Sequence, residues 1–223
     1  NKKHGFGILE TLGKIYLGQF LSDEKNGICI IYSSNKSVYR GEIKNGKKEG
    51  FGYYHNKDGS SFIGEFLNGE KSGIGFAQYA NGDKYIGCFK NGNREGFGIY
   101  ENKNGWSYNG EFLNGKTNGI GIIHFNSGDI FEGQFINGKK NGFGVYYFST
   151  GDVYVGEFKN NFYDGFGEYT INGEKSRIYK GLFKEGKKHG KGFYFSPLDK
   201  NKIFVDYHNG KRQKILKDND EQK

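Results

Sequence analysis

A chain of 223 residues carrying 39 Gly, 21 Phe and 17 Tyr but one Pro and no Met is no average globular domain, in which glycine runs near ~7%. Nor does it have the composition of a disordered segment, which lacks large aromatic side chains. Its mean hydropathy is -0.79, and its longest apolar stretch, Ile28 to Tyr32, is far short of the roughly 20 residues of a membrane-spanning helix. Glycines spread from Gly5 to Gly210 also argue against helices, since each interior glycine costs about 1 kcal/mol relative to alanine. The formal net charge of +8 favours acidic partners such as anionic lipid or acidic protein segments.

In chain order, the sequence repeats. His4-Gly5-Phe6-Gly7 reads as the close of a unit, so further copies are expected upstream of Asn1. An aromatic then recurs every 23 residues at Tyr16, Tyr39, Phe62, Tyr85, Tyr108, Phe131 and Tyr154. Two positions after each stands a glycine, and four positions after each stands Phe20, Ile43, Phe66, Phe89, Phe112, Phe135 or Phe158. A turn follows, usually Asn-Gly as at Asn45-Gly46 and Asn137-Gly138, then a Gly-x-Gly such as Gly50/Gly52, then a second turn glycine such as Gly59. The spacing relaxes to 25 at Tyr179, and a worn copy runs from Ile203 to Gly210. Residues 211–223 form a charged segment expected to be a tail or cap.

The unit can be read physically. Tyr-x-Gly-x-Phe has period two, so its two aromatics and its glycine share one face of a strand. Asn-Gly tolerates positive φ at both positions and reverses the chain as a hairpin. One such hairpin cannot bury its own aromatic face, so neighbours must stack. The expected fold is all-β: an elongated antiparallel solenoid of stacked 23-residue hairpins, about nine copies over residues 1–210, each touching only its neighbours.

Gly110 to Thr117 matches the phosphate-loop pattern GxxxxGK[ST], but the repeat accounts for it as strand and hairpin turn with no following helix. The five histidines are scattered and form no catalytic motif, so no catalytic residues are expected. His189 and His208 are the exception. If the strand after Gly190 pairs with Ile203 to His208, both imidazoles meet beside Asp206 as half of an intersubunit zinc site. Otherwise no cofactor is expected. Cys29 and Cys88 lie about 2.5 repeats apart, ~25 Å by strand spacing, too far for a disulfide. A reducing, intracellular setting is the expectation.

Basic residues recur after the turns: Lys47, Lys48, Lys71, Arg94, Lys116, Lys139, Lys140, Lys187 and Lys188. Their common phase lines them along one edge, where they either attract anionic headgroups or keep the ribbon soluble. Nucleic acid is not expected, because the repeat aromatics belong to the core and cannot stack on bases. Glu42, Glu65, Glu111 and Glu157, with Gln19 and Gln134, point away from the aromatic face and are expected to hold backbone donors of neighbouring units. The ribbon end needs a cap or a partner, and Phe204, Tyr207 and Ile215 suggest a dimer contact.

Tyr-x-Gly-Glu-Phe-x-Asn-Gly-Lys-x-x-Gly-x-Gly, as around Tyr108 to Lys116, resembles the membrane occupation and recognition nexus (MORN) repeat, and the resemblance runs from residue 4 to 210. It implies a non-enzymatic scaffold for cytoskeletal and membrane-associated proteins, cytoplasmic and close to an inner membrane, dimeric through its C-terminal repeats. The Lys-, Asn- and Ile-rich usage resembles apicomplexan members that organise the basal complex and contractile ring of daughter-cell budding. Two alternatives stay open: an anionic-phospholipid tether, and the repeat arm of a larger enzyme.

Overall fold

The computed structural model describes residues 2–173, 176–198 and 200–216. It contains two compact units, dividing between Lys116 and Thr117. The first holds β1 (Gly5–Thr11), β2 (Lys14–Leu21), β3 (Glu24–Ser33), β4 (Val38–Lys44), β5 (Lys47–His55), β6 (Ser61–Leu67), β7 (Glu70–Gln78), β8 (Lys84–Lys90), β9 (Asn93–Glu101) and β10 (Ser107–Leu113). The second holds β11 (Lys116–His124), β12 (Ile130–Ile136), β13 (Lys139–Tyr147), β14 (Val153–Lys159), β15 (Phe162–Ile171), β16 (Arg177–Lys184), β17 (Lys187–Phe195), β18 (Lys202–His208) and β19 (Lys211–Leu216). Within each unit every strand pairs antiparallel with the next in sequence. All regular structure among the described residues is β, as the periodicity predicts. β19 pairs with β18, so the ladder continues past residue 210, where a tail or cap was expected to begin.

The turns have the chemistry their residues dictate. Asn45 and Gly46 sit at φ 49° and 74°, the positive pair that a type I′ hairpin requires. Asn160-Asn161 keeps the same shape at 50° and 78°, because asparagine tolerates the left-handed region. Successive turns are tied together: the Gly69 N–H donates to the Lys48 carbonyl at 2.8 Å, and the Gly92 N–H to Lys71 at 2.9 Å.

Glycines form an unbroken file across the middle of each sheet apart from two positions. In the first unit Gly41 pairs with Gly52, Gly52 with Gly64, Gly64 with Gly75, and so on to Gly98 and Gly110, with Cys29 the one substitution. In the second the file runs from Gly121 to Gly192 and ends at Val205. The first aromatic of each repeat lies flat on this floor: a Cβ at Gly52 would stand 2.7 Å from the Tyr39 ring, and one at Gly41 2.6 Å from the Gly52 Cα. That ring then meets two others edge-on. Phe62 packs against Phe66 of its own strand at 5.2 Å and Phe89 of the next repeat at 5.1 Å, the T-shaped geometry that ring quadrupoles favour. The tyrosines also anchor their hydroxyls, as when Tyr39 donates to the Glu42 carbonyl at 2.7 Å.

The return strands β3, β5, β7, β9, β13, β15, β17 and β19 carry a bulge, seen as a register shift such as that between Gly133 and Phe135. The first glycine of Gly-x-Gly sits inside it at positive φ, +60° at Gly50 and +59° at Gly73. The residue between the glycines donates its N–H to the acid or amide side chain of the same hairpin: Ile74 to Glu65 at 3.2 Å, Phe143 to Gln134 at 3.1 Å, Phe166 to Glu157 at 3.0 Å. The expected acid/amide row therefore does hold backbone donors, but in its own hairpin and not in a neighbouring unit. A methyl on the glycine floor has nowhere to go, because backbone lies on one side and a ring on the other. Gly52→Ala is expected to lower stability by about 1–3 kcal/mol, the overpacking cost, in urea titrations. A midpoint equal to wild type would contradict the close contact.

Candidate functional site

The nine basic residues do not form one surface. Lys48, Lys71, Arg94, Lys140 and Lys188 lie on the aromatic face, half-buried over rings. The Lys48 Nζ is 3.6 Å from the Tyr54 ring centre and 5.1 Å from that of Tyr39. Lys140 stands 4.6 Å from Tyr146 and 5.2 Å from Phe131, and Lys188 4.4 Å from Tyr179. The Arg94 guanidinium is 4.9 Å from Tyr100. Register explains the placement: Lys48 pairs with Ile43, Lys71 with Phe66 and Lys140 with Phe135, so each inherits the core side of its partner. Lys47, Lys116, Lys139 and Lys187 are exposed and remain available to an acidic partner. The signal was in the sequence: a cation stands nine positions after the first aromatic in five of the repeats from Tyr39 to Tyr179, with Thr117 and Tyr163 as the exceptions.

The opposite edge has a second ladder that the motif search missed. Asp129 accepts from the Tyr146 hydroxyl at 2.8 Å and the Ser149 N–H at 2.8 Å, and Asp152 accepts from Tyr169 and the Asn172 N–H at 3.0 Å each. Asp83 takes the same place toward Tyr100 and Lys103, and these hydrogen bonds hold its carboxyl below the usual range. Each pair joins one hairpin's loop to the next hairpin 17 to 20 residues on. The recurrence of aspartate in the repeat frame at 83, 129 and 152 was the available clue.

His189 and His208 do meet, with ring centres 5.4 Å apart, because β17 and β18 pair as expected. Asp206 pairs with Lys191, and among the described residues no group of three or more His, Cys, Asp or Glu side chains could hold a metal ion. Phe204, Tyr207 and Ile215 do not share a surface. The Tyr207 hydroxyl is 2.9 Å from that of Tyr194, with its ring edge-on to Tyr179 at 5.9 Å. Phe204 packs 5.7 Å from Phe193. Ile215 pairs with Val205, one residue along from Phe204, which puts it on the other side of the sheet. Cys29 is buried and, like Cys88, is a free thiol. A concavity of about 640 Å³ in the second unit is lined by Arg177, Arg212, Tyr194 and Leu198 among others.

This architecture defines a repeat protein whose surface groups are periodic. The MORN repeat model matches residues 39–61, 62–84, 85–107, 108–130, 131–153, 154–173 and 179–197, and the chain belongs to that family. Each match opens on, or in step with, the first aromatic of a copy. MORN repeats are non-enzymatic and are found in membrane- and cytoskeleton-associated proteins; no helix among the described residues is long and apolar enough to cross a membrane. No curated protein matches the chain. Among solved structures, the TCP domain of SAS-4 (dCPAP) of Drosophila melanogaster, in complex with a proline-rich motif of Ana2 (dSTIL), is 14% identical, covering 71% of this chain and 85% of that one at a TM-score of 0.43. A streptogramin B lyase is 12% identical, covering 93% and 84% at a TM-score of 0.20. At these scores neither bears on fold or function.

Burial of the lysines gives stability an unusual pH dependence. Lys48 is pushed from 10.5 down to about 8 by burial and then by the positive Lys71 and Lys14. Lys140 also falls to about 8 through burial, with Asp129 pulling the other way. The rings beneath favour the charged amine, and desolvation outweighs them. From about pH 8 to the unfolded value of 10.5, the unfolded chain holds more protons than the folded one, so stability rises with pH. The tyrosines oppose this. Burial raises Tyr16, Tyr146 and Tyr169 from 10.0 to about 12, so above the unfolded value of 10.0 the unfolded chain loses protons first and stability falls. Thermal melts are expected to give a Tm that climbs from about pH 7 to about pH 9.5 and drops above about pH 10. A Tm that falls steadily across the first interval would contradict the buried amines.

Proposed function

We propose that this chain is a non-enzymatic scaffold that presents the same exposed positions at repeat spacing, and so holds cytoskeletal and membrane-associated partners in a line. The observation that carries the reading is the file of glycines with its aromatic cover: it commits the repeat aromatics to the core and leaves turn edges and outer face for partners. The chain acts as a homodimer in assemblies such as the basal complex and contractile ring of dividing apicomplexan cells, at the cytoplasmic side of an inner membrane. The facing imidazoles of His189 and His208 are a place where a second subunit would complete a zinc site.

A second reading has its own support. Lys47, Lys116, Lys139 and Lys187 are exposed at one phase of the repeat, and anionic headgroups attract such residues at ~1 kcal/mol each. Lys48 and Lys140 are spent on the core and are not part of this set. One experiment separates the two readings. The whole chain is sedimented with vesicles of phosphatidylcholine and phosphatidylserine, and its partition into the detergent-resistant cytoskeletal fraction is measured in cells. Scaffolding predicts the cytoskeletal fraction, unchanged by charge reversal at Lys47, Lys116, Lys139 and Lys187. Salt-sensitive vesicle binding that the same reversal abolishes, together with loss of the cell fraction, would replace scaffolding by lipid tethering.

A further inference from the structure

The face of the first unit that points away from the aromatic core is itself apolar. Two files of side chains cross it. One runs through Ile63, Phe76, Ile86 and Ile99, which are cross-strand partners in turn. In the other, Phe51, Ile74 and Phe97 at the centre of a Gly-x-Gly, and Ile28 between Gly27 and Cys29, are 57%, 64%, 67% and 64% exposed. Single exposed apolar residues are ordinary, but a contiguous field of this size marks an interaction site. An antiparallel sheet whose outer face meets only water alternates apolar inward with polar outward; here apolar side chains also cross the outer face, with Glu42, Glu65, Cys88 and Glu111 opposite Ile28, Phe51, Ile74 and Phe97. In the second unit Phe143 and Phe166 are 57% and 55% exposed in the same way, but the file corresponding to Ile63, Phe76, Ile86 and Ile99 is broken by Glu132 and by the Glu168–Lys180 ion pair at 2.6 Å.

We infer that this face of the first unit docks on the same face of a second copy of the chain. Three observations select that occupant. Successive members of the second file lie two strands apart, ~9.6 Å, and a second copy carries the same interval, so apolar side chains stay opposite apolar side chains over four hairpins. A two-fold axis pairs a patch with itself, and this patch is self-complementary in that sense. With Ile28, Phe51, Ile74 and Phe97 57–67% exposed and Ile63, Ile86 and Ile99 41–51% exposed, and side chains of 150–250 Å² for the aromatics, the field offers roughly 800 Å², about the ~800 Å² per partner of a stable interface. The charges in these files are Arg40 against Glu42, Glu65 and Glu111. A two-fold contact lets Arg40 of each copy face a carboxylate of the other, with Lys44, Lys84 and Lys90 on the same face at the ends of their strands.

The inference rests on the dimeric reading above and moves the contact from the C-terminal copies to the first unit. The test is the mass of the full 223-residue chain by light scattering and sedimentation velocity from about 1 to 100 μM, the range of modest interfaces. The wild type is expected to be dimeric, and I74K with F97K to weaken association at least tenfold, with far-UV circular dichroism unchanged. I63T with I86T, which suits a strand, serves if the lysine pair does not fold, and is expected to weaken the dimer likewise. F143K with F166K, on the second unit, is expected to leave it intact. A wild-type monomer at every concentration would end both the dimeric reading and this inference. A dimer lost through F204A with I215A, yet indifferent to I74K with F97K, would overturn this inference alone. Vesicle binding by the wild type that I74K with F97K abolishes, while mass stays monomeric, would give the face to a membrane.

Discussion

The contact on which the rest of the structure depends is an aromatic ring laid flat across paired glycines. A single-layer sheet has no second layer to press its side chains into a core, so it must make that core within itself. Removing every side chain from the middle file lets Tyr39, Phe62, Tyr85 and their equivalents lie down on backbone, nearly or wholly buried. From there they meet the second aromatic of their own strand and of the next repeat edge-on. The two breaks in the file, Cys29 and Val205, are themselves buried at 2% and 0% exposure, which shows that a side chain is tolerated there where the ring arrangement leaves room. Fixed period follows from this packing, since an inserted residue would turn a ring to the wrong face.

The same constraint sorts every other residue type. Cations nine positions after the first aromatic are carried over the rings by register, with their charged tips above the ring centres. Asparagines and glycines occupy the turn positions that demand positive φ. Carboxylates and amides on the outer face close the bulges. What is exposed is narrow and recurs: lysines at one edge in four of the repeats from Tyr39 to Tyr179, and apolar side chains such as Phe51, Ile74 and Phe97 at the centre of Gly-x-Gly on the outer face.

Much of this was legible in the residues. The period of 23 and the Asn-Gly turns fixed the hairpins, and alternation in Tyr-x-Gly-x-Phe placed the aromatics on one face. Pairing of β17 with β18 and the meeting of His189 with His208 followed from the same register. The errors have a common cause, which is that a shared phase in the sequence does not say which face a side chain takes once a bulge intervenes. Lys47 and Lys48 are adjacent, so they look alike in a charge row, yet one is exposed and the other covers Tyr54. Phe204 and Ile215 looked like one surface and lie on opposite sides, because β19 pairs with β18 and sets Ile215 opposite Val205. The links from Asp129 to Tyr146 and from Asp152 to Tyr169 were missed because an isolated aspartate in a loop carries no motif.

The central claim is an energetic coupling between ring and floor, and a double-mutant cycle on Phe62 and Gly75 measures it directly. Gly75→Ala, Phe62→Leu and the double variant are compared with wild type in urea unfolding. If the ring rests on the glycine, removing the ring relieves the added methyl, and the cycle gives a coupling of about 1–3 kcal/mol in the rescuing direction. Strict additivity, with the methyl costing as much without the ring as with it, would contradict the account.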